Sequence, residues 1–335
     1  MEVALVVVIV VVALGFAYTN GFLDAANSIA TSVSTRALTP RIAVTMAAGM
    51  NFVGALLGTE VAETIATSIV DLDGATALQS LVVVLSALLG AIVWNLYAWW
   101  SGMPTSSTHS LIGGLLGAGL AGGMAVYGAE VVDKVVLPML LSPAVGFVGA
   151  FGLMLALMWL LRNVAPARVN RRFRLAQTAS AAAMALGHGL QSAQKTMGVI
   201  WLALITVGAA TTSGGVPLWV KISAATAMGI GTYAGGWRIM RTLGQRIIDL
   251  DPARGFVAES VSAVVLYANA IVLYAPVSST HTITSAIMGA GATRRWTAVR
   301  WGVVRTIAIY WLLTAPVAAL LAAAATLALL PLVGG

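Results

Sequence analysis

The sequence predicts an all-α polytopic membrane protein made of two inverted-topology repeats, with broken or re-entrant helices at the midplane. Composition is the first indication, because 59% of the 335 residues are hydrophobic and 9% are charged. A typical soluble domain has about 25% charged residues, so this composition excludes an ordinary soluble enzyme and a disordered chain. The other indications are a series of long apolar runs and an internal repeat whose flanking charges change sign between the halves.

The apolar runs approach the roughly 20 residues that a helix needs to cross a bilayer. They lack the apolar–polar alternation of a membrane β-barrel, so helices are expected. Several are shorter than a full crossing and adjoin polar, glycine-rich segments, as broken helices in transporters do. The runs are Val3–Tyr18, Arg41–Leu57, Leu78–Trp100, His109–Met124, Val135–Leu161, Leu175–Leu186, Met197–Ala210, Leu218–Gly235, Phe256–Tyr274, His281–Ala292 and Trp301–Leu330.

Three segments of the first half recur in the same order in the second half. The strongest match begins at Pro104 and Pro276, where seven of fifteen residues are identical. The pairs are Pro104–His109 with Pro276–His281, Val70–Gly74 with Ile248–Pro252, and Gly21–Asn27 with Gly189–Lys195. The offsets stay close to half the chain length, which indicates an internal duplication.

The loops that match between the halves carry opposite charge. Residues 59–74 contain four acidic residues, Asp73 among them, and no basic one, and residues 122–134 are also acidic overall. Their counterparts are rich in arginine, whereas Arg36 and Arg41 flank a loop whose counterpart has one lysine. The arginines of the counterparts are Arg238, Arg241, Arg246, Arg254, Arg294, Arg295 and Arg300. Since basic loops stay in the cytoplasm, matched loops lie on opposite faces and the repeats are inverted.

This pattern divides the chain into three parts. Residues 1–161 form the first repeat, residues 162–174 a short basic cytoplasmic linker, and residues 175–335 the second repeat. Each inverted repeat crosses an odd number of times, with five crossings expected and both termini outside. A net charge of +7 is then explained by the positive-inside rule, so a nucleic-acid partner is not expected. The expected location is a prokaryotic plasma (inner) membrane.

The repeated Pro-x-Ser-Ser-Thr-His segments open an apolar helix in each half. Such a start supplies free N–H groups, the positive end of the helix dipole and several hydroxyl donors, which together suit an anion. Two inverted copies would point at one place near the midplane, where the donors can replace the hydration of a tetrahedral oxyanion. Plain helix capping is the alternative interpretation.

Four further polar residues fall near or within apolar stretches. Asp24 is an intramembrane carboxylate, which is costly and therefore a functional candidate, and Asn27 lies on the same helical face. Together with backbone carbonyls from a glycine-containing break, their oxygens suit a small cation. Lys195 either neutralises Asp24, attracts the anion or snorkels to the interface. Glu259 is either an interfacial cap or a buried ligand.

These segments resemble the inorganic phosphate transporter (PiT) family. The resemblance is carried by Gly21–Thr31, Gly187–Gly198 and the two Ser-Ser-Thr-His segments, and it extends over nearly the whole chain. It implies a cation-coupled phosphate importer that is not an enzyme and needs no cofactor beyond a sodium ion or proton. The implied anion-binding residues are Ser106, Ser107, Thr108, Ser278, Ser279, Thr280, Gln194 and Lys195. The implied coupling-ion residues are Asp24, Asn27, Gln191, Ser192 and Thr196, with His109, His281 and Glu259 as accessory residues.

One departure from the family pattern concerns the coupling ion. The second motif of the family usually has Asn and Asp where this chain has Gln191 and Ser192. One carboxylate fewer in a low-dielectric site weakens sodium binding, which favours fewer coupled sodium ions or coupling to protons. Sulfate has the same shape as phosphate, so a sulfate carrier remains an alternative, and a passive anion channel is a third. Besides the anion and the lipid bilayer, a second copy of the chain in a homodimer is the partner considered.

Overall fold

The structure, a computed structural model, describes residues 1–72 and 74–333. Asp73, which belongs to the acidic loop 59–74, lies outside the described residues. Residues 334–335, the last two of the predicted second repeat, lie outside them as well. Within the described ranges the chain forms thirteen α-helices, joined in part by π-helical turns. They are α1 (Glu2–Ser34), α2 (Pro40–Ala55), α3 (Glu60–Thr67), α4 (Ala77–Trp100), α5 (Ser107–Ala121), α6 (Gly128–Val131), α7 (Leu137–Leu160), α8 (Pro166–Thr206), α9 (Leu218–Ala234), α10 (Trp237–Arg241), α11 (Pro252–Tyr267), α12 (Ser279–Ala292) and α13 (Trp301–Val333).

Five helical segments of the described chain are long and apolar enough to cross a membrane, and the bent α2–α3 pair would make a sixth. The five are α1, α4, α6 continued into α7, α11 with its following turn, and α13. The helices α5 and α12 have 15 and 14 residues, which at about 1.5 Å per residue falls short of about 30 Å of hydrocarbon. The chain is therefore an all-helical integral membrane protein whose two short motif helices begin inside the protein.

Two sequence expectations about breaks are wrong. Helix α1 runs without interruption past Asp24, so no broken backbone lies beside it. The predicted runs Leu175–Leu186 and Met197–Ala210 belong to the single helix α8, which is 41 residues long. The basic segment 162–174 is helical from Pro166 onward, so four of its five arginines lie on the first turns of α8, and its role as a linker stays a prediction. Continuous helices are favoured over broken ones in α1 and α8, because a continuous helix satisfies its backbone hydrogen bonds within its own segment, as the membrane interior requires. The actual breaks lie between α2 and α3, which meet at 67°, and in the loops before α5 and α12.

The two halves are interleaved, because each packs its helices on those of the other half. Helix α1 contacts α9 and α8 contacts α2, while α5 packs on α13 and α12 packs on α7. Glycines allow these contacts to be close. A Cβ on Gly21 would lie 2.3 Å from the Met228 carbonyl oxygen, and one on Gly189 would lie 2.2 Å from that of Asn51. The glycines in the two motifs therefore serve close helix packing and are not hinges.

The equivalent glycines of the two motif helices approach a neighbouring backbone just as closely. A Cβ on Gly117 would lie 2.2 Å from the carbonyl oxygen of Ala319, and one on Gly289 would lie 2.1 Å from that of Phe147. We expect Gly289→Ala to lower the free energy of unfolding by about 1–3 kcal/mol, because backbone atoms must move apart. Thermal melting in detergent measures this. Gly152→Ala on α7, where a Cβ meets nothing within 4 Å, is the matched control and should cause no loss. Equal melting of the two variants would contradict the packing described.

Candidate functional site

The candidate site lies where α1 and α8 meet the N-termini of α5 and α12. Each of these helices contributes a motif that the sequence singled out. Asp24 on α1 and Lys195 on α8 are 4% and 1% exposed, so both charges are buried. Buried charges are stable only when they are paired or hydrogen-bonded, so their partners define the site.

Asp24 connects the two inverted motifs. Its Oδ1 accepts hydrogen bonds from Asn27 Nδ2 at 3.0 Å and from Thr280 Oγ1 at 3.2 Å. Its Oδ2 accepts one from Ser107 Oγ at 3.2 Å. Asn27 Nδ2 also reaches Thr280 Oγ1 at 2.8 Å and Ser279 Oγ at 3.3 Å. The carboxylate therefore occupies hydroxyl donors from both Ser-Ser-Thr-His segments.

Lys195 approaches the same carboxylate through a hydroxyl relay. Its Nζ donates to Ser107 Oγ at 3.0 Å and to Ser192 Oγ at 3.3 Å. Ser107 in turn donates to Asp24. A snorkelling lysine would hold its ammonium group in the interface, but this one is enclosed. Asp24 and Lys195 together give the network a net charge of zero.

His188 is a site residue that the sequence analysis did not select. Its Nε2 lies 3.1 Å from Ser192 Oγ and 3.5 Å from Asp24 Oδ2, and its Nδ1 lies 3.1 Å from Asn51 Oδ1. Asn51 Nδ2 donates to Thr232 Oγ1 at 2.9 Å. The chain of contacts thus runs from α9 through α2 and α8 to α1. The sequence did contain an indication of this role, because all three histidines of the chain fall in or beside the repeated motifs.

The hydrogen-bond pattern sets the tautomer of His188. Asn51 Nδ2 donates to Thr232, so the atom that Asn51 turns to His188 is its amide oxygen, which can only accept from Nδ1. Ser192 accepts from Lys195 and so gives its own hydrogen to His188 Nε2. The one lone pair of Nε2 is then used by Ser192, and Asp24 Oδ2 lies 3.5 Å from the same nitrogen. A proton added to Nε2 would turn this nitrogen into a donor toward Asp24 Oδ2.

The remaining motif hydroxyls have structural partners. Ser106 and Ser278 are N-caps, and their Oγ atoms accept from the backbone N–H of His109 at 3.1 Å and of His281 at 3.2 Å. Capping therefore explains one serine in each motif. Thr108 Oγ1 donates to the Val277 carbonyl at 3.0 Å and so ties the two motifs together.

The three other candidates on α8 are buried with free hydrogen-bonding capacity. Gln194 Oε1 accepts from the backbone N–H of Val61 at 2.7 Å and of Ala62 at 3.2 Å, so it holds the start of α3. Gln191 Nε2 donates to the Ala275 carbonyl at 3.0 Å. Among described atoms, Gln191 Oε1, Gln194 Nε2, Thr196 Oγ1 and Asn27 Oδ1 are buried without a partner. Unpartnered oxygens close to a carboxylate motif are the ligand type that a hard cation such as sodium uses.

Comparison with known proteins agrees with this geometry. The model of the phosphate transporter family matches the chain twice, over residues 20–168 and 161–322. The chain belongs to the phosphate transporter family. This membership identifies it as a transporter and not an enzyme. The two matches also agree with a fold made of two repeats, while the exact boundaries of the repeats stay a prediction.

Relatives of this transporter share its full length. One is named a probable low-affinity inorganic phosphate transporter, from Bacillus subtilis, and is 43% identical over 96% of each chain. A protein of the same name from Rhizobium meliloti is 47% identical over 95% of each chain. A solved structure named the sodium-dependent phosphate transporter superposes with a TM-score of 0.88 at 25% identity, covering 97% of this chain and 99% of that one.

The two motif histidines of the transporter lie against each other. The rings of His109 and His281 stack with centroids 4.5 Å apart, and Trp311 stacks on His281 at 3.8 Å. His109 Nδ1 and His281 Nε2 are buried without a hydrogen-bond partner. These histidines thus join the two inverted helix starts by ring stacking.

Glu259 is fully buried in the middle of α11, so it is not an interfacial cap. Its carboxylate accepts from Thr31, from Ser32 and Ser180 at 2.5 Å each, and from Gln177 Nε2 at 3.4 Å. At the offset of the α1–α8 repeat, Thr31 and Ser32 correspond to Val199 and Ile200. The polar cluster is therefore not repeated at the equivalent position of α8, and it ties α1 to α8 and α11.

We expect Glu259→Ala to destabilise the transporter by about 1–3 kcal/mol, since buried hydroxyl donors on α1 and α8 lose their acceptor. Thermal melting of the purified protein checks this, and Glu63→Ala at an exposed position of α3 is the control. A Glu259→Ala protein that melts with the control would show that the carboxylate does not hold these helices together.

Proposed function

We propose that this chain imports inorganic phosphate across the plasma membrane, driven by a gradient of sodium ions or protons. The observation that supports this most directly is the bonding of Asp24 to hydroxyls of both inverted motifs. The names of the relatives describe those proteins as inorganic phosphate transporters, which favours phosphate over sulfate here.

The anion side of the site is supplied by the starts of α5 and α12. Each presents backbone N–H groups, the positive end of a helix and hydroxyl donors. A phosphate at this point would accept from Ser107, Ser279 and Thr280 and would be attracted by the ammonium group of Lys195. The hydroxyl donors carry no fixed charge, so the anion can leave again on the other side of the membrane.

The cation side is coupled to the anion side through shared donors. Ser107 and Thr280 now donate to Asp24, and Asn27 Nδ2 divides its hydrogens between Asp24 and the second motif. A cation that binds Asp24 satisfies the carboxylate and releases these hydroxyls for phosphate. The two ligands therefore favour each other's binding, which is the requirement for symport.

Charge balance leads to the same conclusion. The site is neutral with Asp24 ionised and Lys195 protonated, so a phosphate anion entering alone would leave a net negative charge in a low-dielectric interior. Such a charge is costly unless a cation enters with it. His188 Nε2 lies 3.5 Å from Asp24 Oδ2, so a proton taken up at this point would supply a positive charge beside the carboxylate.

We expect Ser192→Asp to strengthen sodium dependence. Ser192 Oγ lies 3.1 Å from His188 Nε2, so a carboxylate here would add a second negative charge beside Asp24. A unit charge about 4 Å away contributes up to about 4 kcal/mol at intermediate dielectric, so sodium affinity should rise about tenfold or more. Uptake measured against sodium concentration tests this, with Ser192→Asn as the uncharged control. An unchanged sodium response would place the cation elsewhere.

Uptake into proteoliposomes tests the proposed function. Labelled phosphate uptake is measured under a sodium gradient, a proton gradient or neither, with excess sulfate as competitor. We expect uptake to require one of the gradients and to resist sulfate, and the effective gradient names the coupling ion. Loss of the signal to sulfate would assign a sulfate carrier. Equal flux without any gradient would indicate a passive channel.

A further inference from the structure

We propose that the arginine-rich face of the second repeat binds the phosphate group of an anionic phospholipid from the cytoplasmic leaflet. This site is separate from the transport site and does not depend on its function. It consists of an arginine pocket between the starts of α11 and α13 and an apolar crevice beside α7 and α8. Arg254 lines both.

The arginine pocket has the size and charge for one phosphate group. Its volume is about 140 Å³, and its charged lining consists of Arg254, Arg294, Arg295 and Arg300 with one acidic residue, Asp249. The lining therefore has a charge of +3. A guanidinium group can donate two parallel hydrogen bonds to two phosphate oxygens. This composition therefore favours a lipid with an anionic phosphate headgroup over a lipid with a neutral headgroup.

Several donors in this pocket are unused. Arg300 is occupied, since it donates to the Gln245 carbonyl at 2.5 Å and to Asp249 at 2.6 Å. Arg254 pairs with Asp251 through Nη1, but its buried Nε has no hydrogen-bond partner. Among the described residues, no side-chain partner is recorded for Arg294 or Arg295. A buried donor without an acceptor is uncommon, so Arg254 Nε favours a bound anion here, and the exposed Arg294 and Arg295 add positive charge.

The adjoining crevice fits an acyl chain. It has a volume of about 400 Å³ and lies between the end of α7, the start of α8 and the start of α11. Its lining is mainly apolar, and it includes Met154, Leu157, Leu161, Val164 and Val169. A free phosphate ion would use only the pocket, whereas a phospholipid uses the pocket and the crevice together.

Aromatic residues place both cavities at the membrane surface. Arg162 at the crevice lies over the ring of Trp159 at 5.4 Å, and Trp296 stacks on Trp301 at 4.5 Å beside Arg295. Tryptophan and arginine collect at the level of the lipid headgroups. The corresponding cavity of the first repeat, around Asp71, has no basic residue among its lining residues. The positive-inside rule explains the sign of the charge, but it does not explain an apolar crevice that shares Arg254 with the arginine pocket.

Lipid retention by the purified transporter, measured by native mass spectrometry, tests the proposal. Phosphatidylglycerol is compared with phosphatidylcholine of the same acyl chains, with phosphate saturating the transport site. We expect the wild type to retain phosphatidylglycerol only. Arg294→Gln combined with Arg295→Gln should weaken retention about tenfold or more, because each basic group near a lipid surface contributes about 1 kcal/mol. Both side chains are exposed, so these changes leave the packing intact.

Two further variants separate the lipid from other anions. Val164→Trp, which fills the crevice without a change of charge, should also reduce retention, and Arg41→Gln, an exposed arginine outside the pocket, should not. Equal retention by Arg41→Gln and the double variant would overturn the proposal. Displacement of phosphatidylglycerol by equimolar glycerol phosphate would also overturn it, because a free anion would then suffice.

Discussion

Replacing Asp24 with asparagine is expected to abolish most of the phosphate uptake that a cation gradient drives. Asparagine keeps the size of the side chain but removes the charge that accepts from Asn27, Ser107 and Thr280. A hydrogen bond to a charged group is worth about 1.5–3 kcal/mol, which corresponds to about a tenfold to hundredfold loss of uptake. Proteoliposome uptake under each gradient measures this loss.

The control for this variant is Asp133→Asn, because Asp133 is exposed at the start of the long α6–α7 segment. It should transport like the wild type. A protein carrying Asp24→Asn that still concentrates phosphate with an imposed gradient would exclude Asp24 as the coupling residue. Anion flux that persists without gradient dependence would instead indicate that the carboxylate couples but does not gate the pathway.

Replacing Lys195 with glutamine is expected to shift phosphate and cation affinity in opposite directions. The change removes the only positive charge of the Asp24 network and leaves the carboxylate unbalanced. The half-saturating phosphate concentration should rise about tenfold to hundredfold, since a charged donor worth about 1.5–3 kcal/mol is lost. The half-saturating cation concentration should fall, because the site now carries a net negative charge.

Uptake measured over a range of phosphate and cation concentrations separates these effects. Lys221→Gln on α9 is the control, since this lysine lies outside the Asp24 network. A parallel loss of both affinities would indicate that Lys195 holds the fold together and does not balance charge. Unchanged affinities would remove it from the site.

The motif starts were predictable from sequence because their physics is local. A serine cap followed by a helix depends on a few neighbouring residues, and α5 and α12 begin at Ser107 and Ser279 directly after their caps. The pairing of Asp24 with Asn27 follows equally from helical spacing, and their side chains hydrogen-bond at 3.0 Å.

The continuity of α1 and α8 was not predictable because it depends on neighbours distant in sequence. In the sequence, Gly21 and Gly189 lie among polar residues, a pattern that is typical of a helix break. In the folded protein they contact Met228 and Asn51 of the other half, and these contacts decide their role. The site positions of His188 and the buried Glu259 cluster depend on the same interleaving of α1, α8 and α11.

Binding of phosphate to the purified protein, measured by calorimetry with and without the coupling cation, tests the central claim most directly. The claim is that one network at Asp24 and Lys195 binds the cation and the anion together. We predict that sodium or a lower pH raises phosphate affinity and that phosphate raises cation affinity by the same factor, as linkage requires. We also predict that Asp24→Asn abolishes this effect while phosphate still binds. Phosphate affinity that is indifferent to both cations in the wild type would contradict the account.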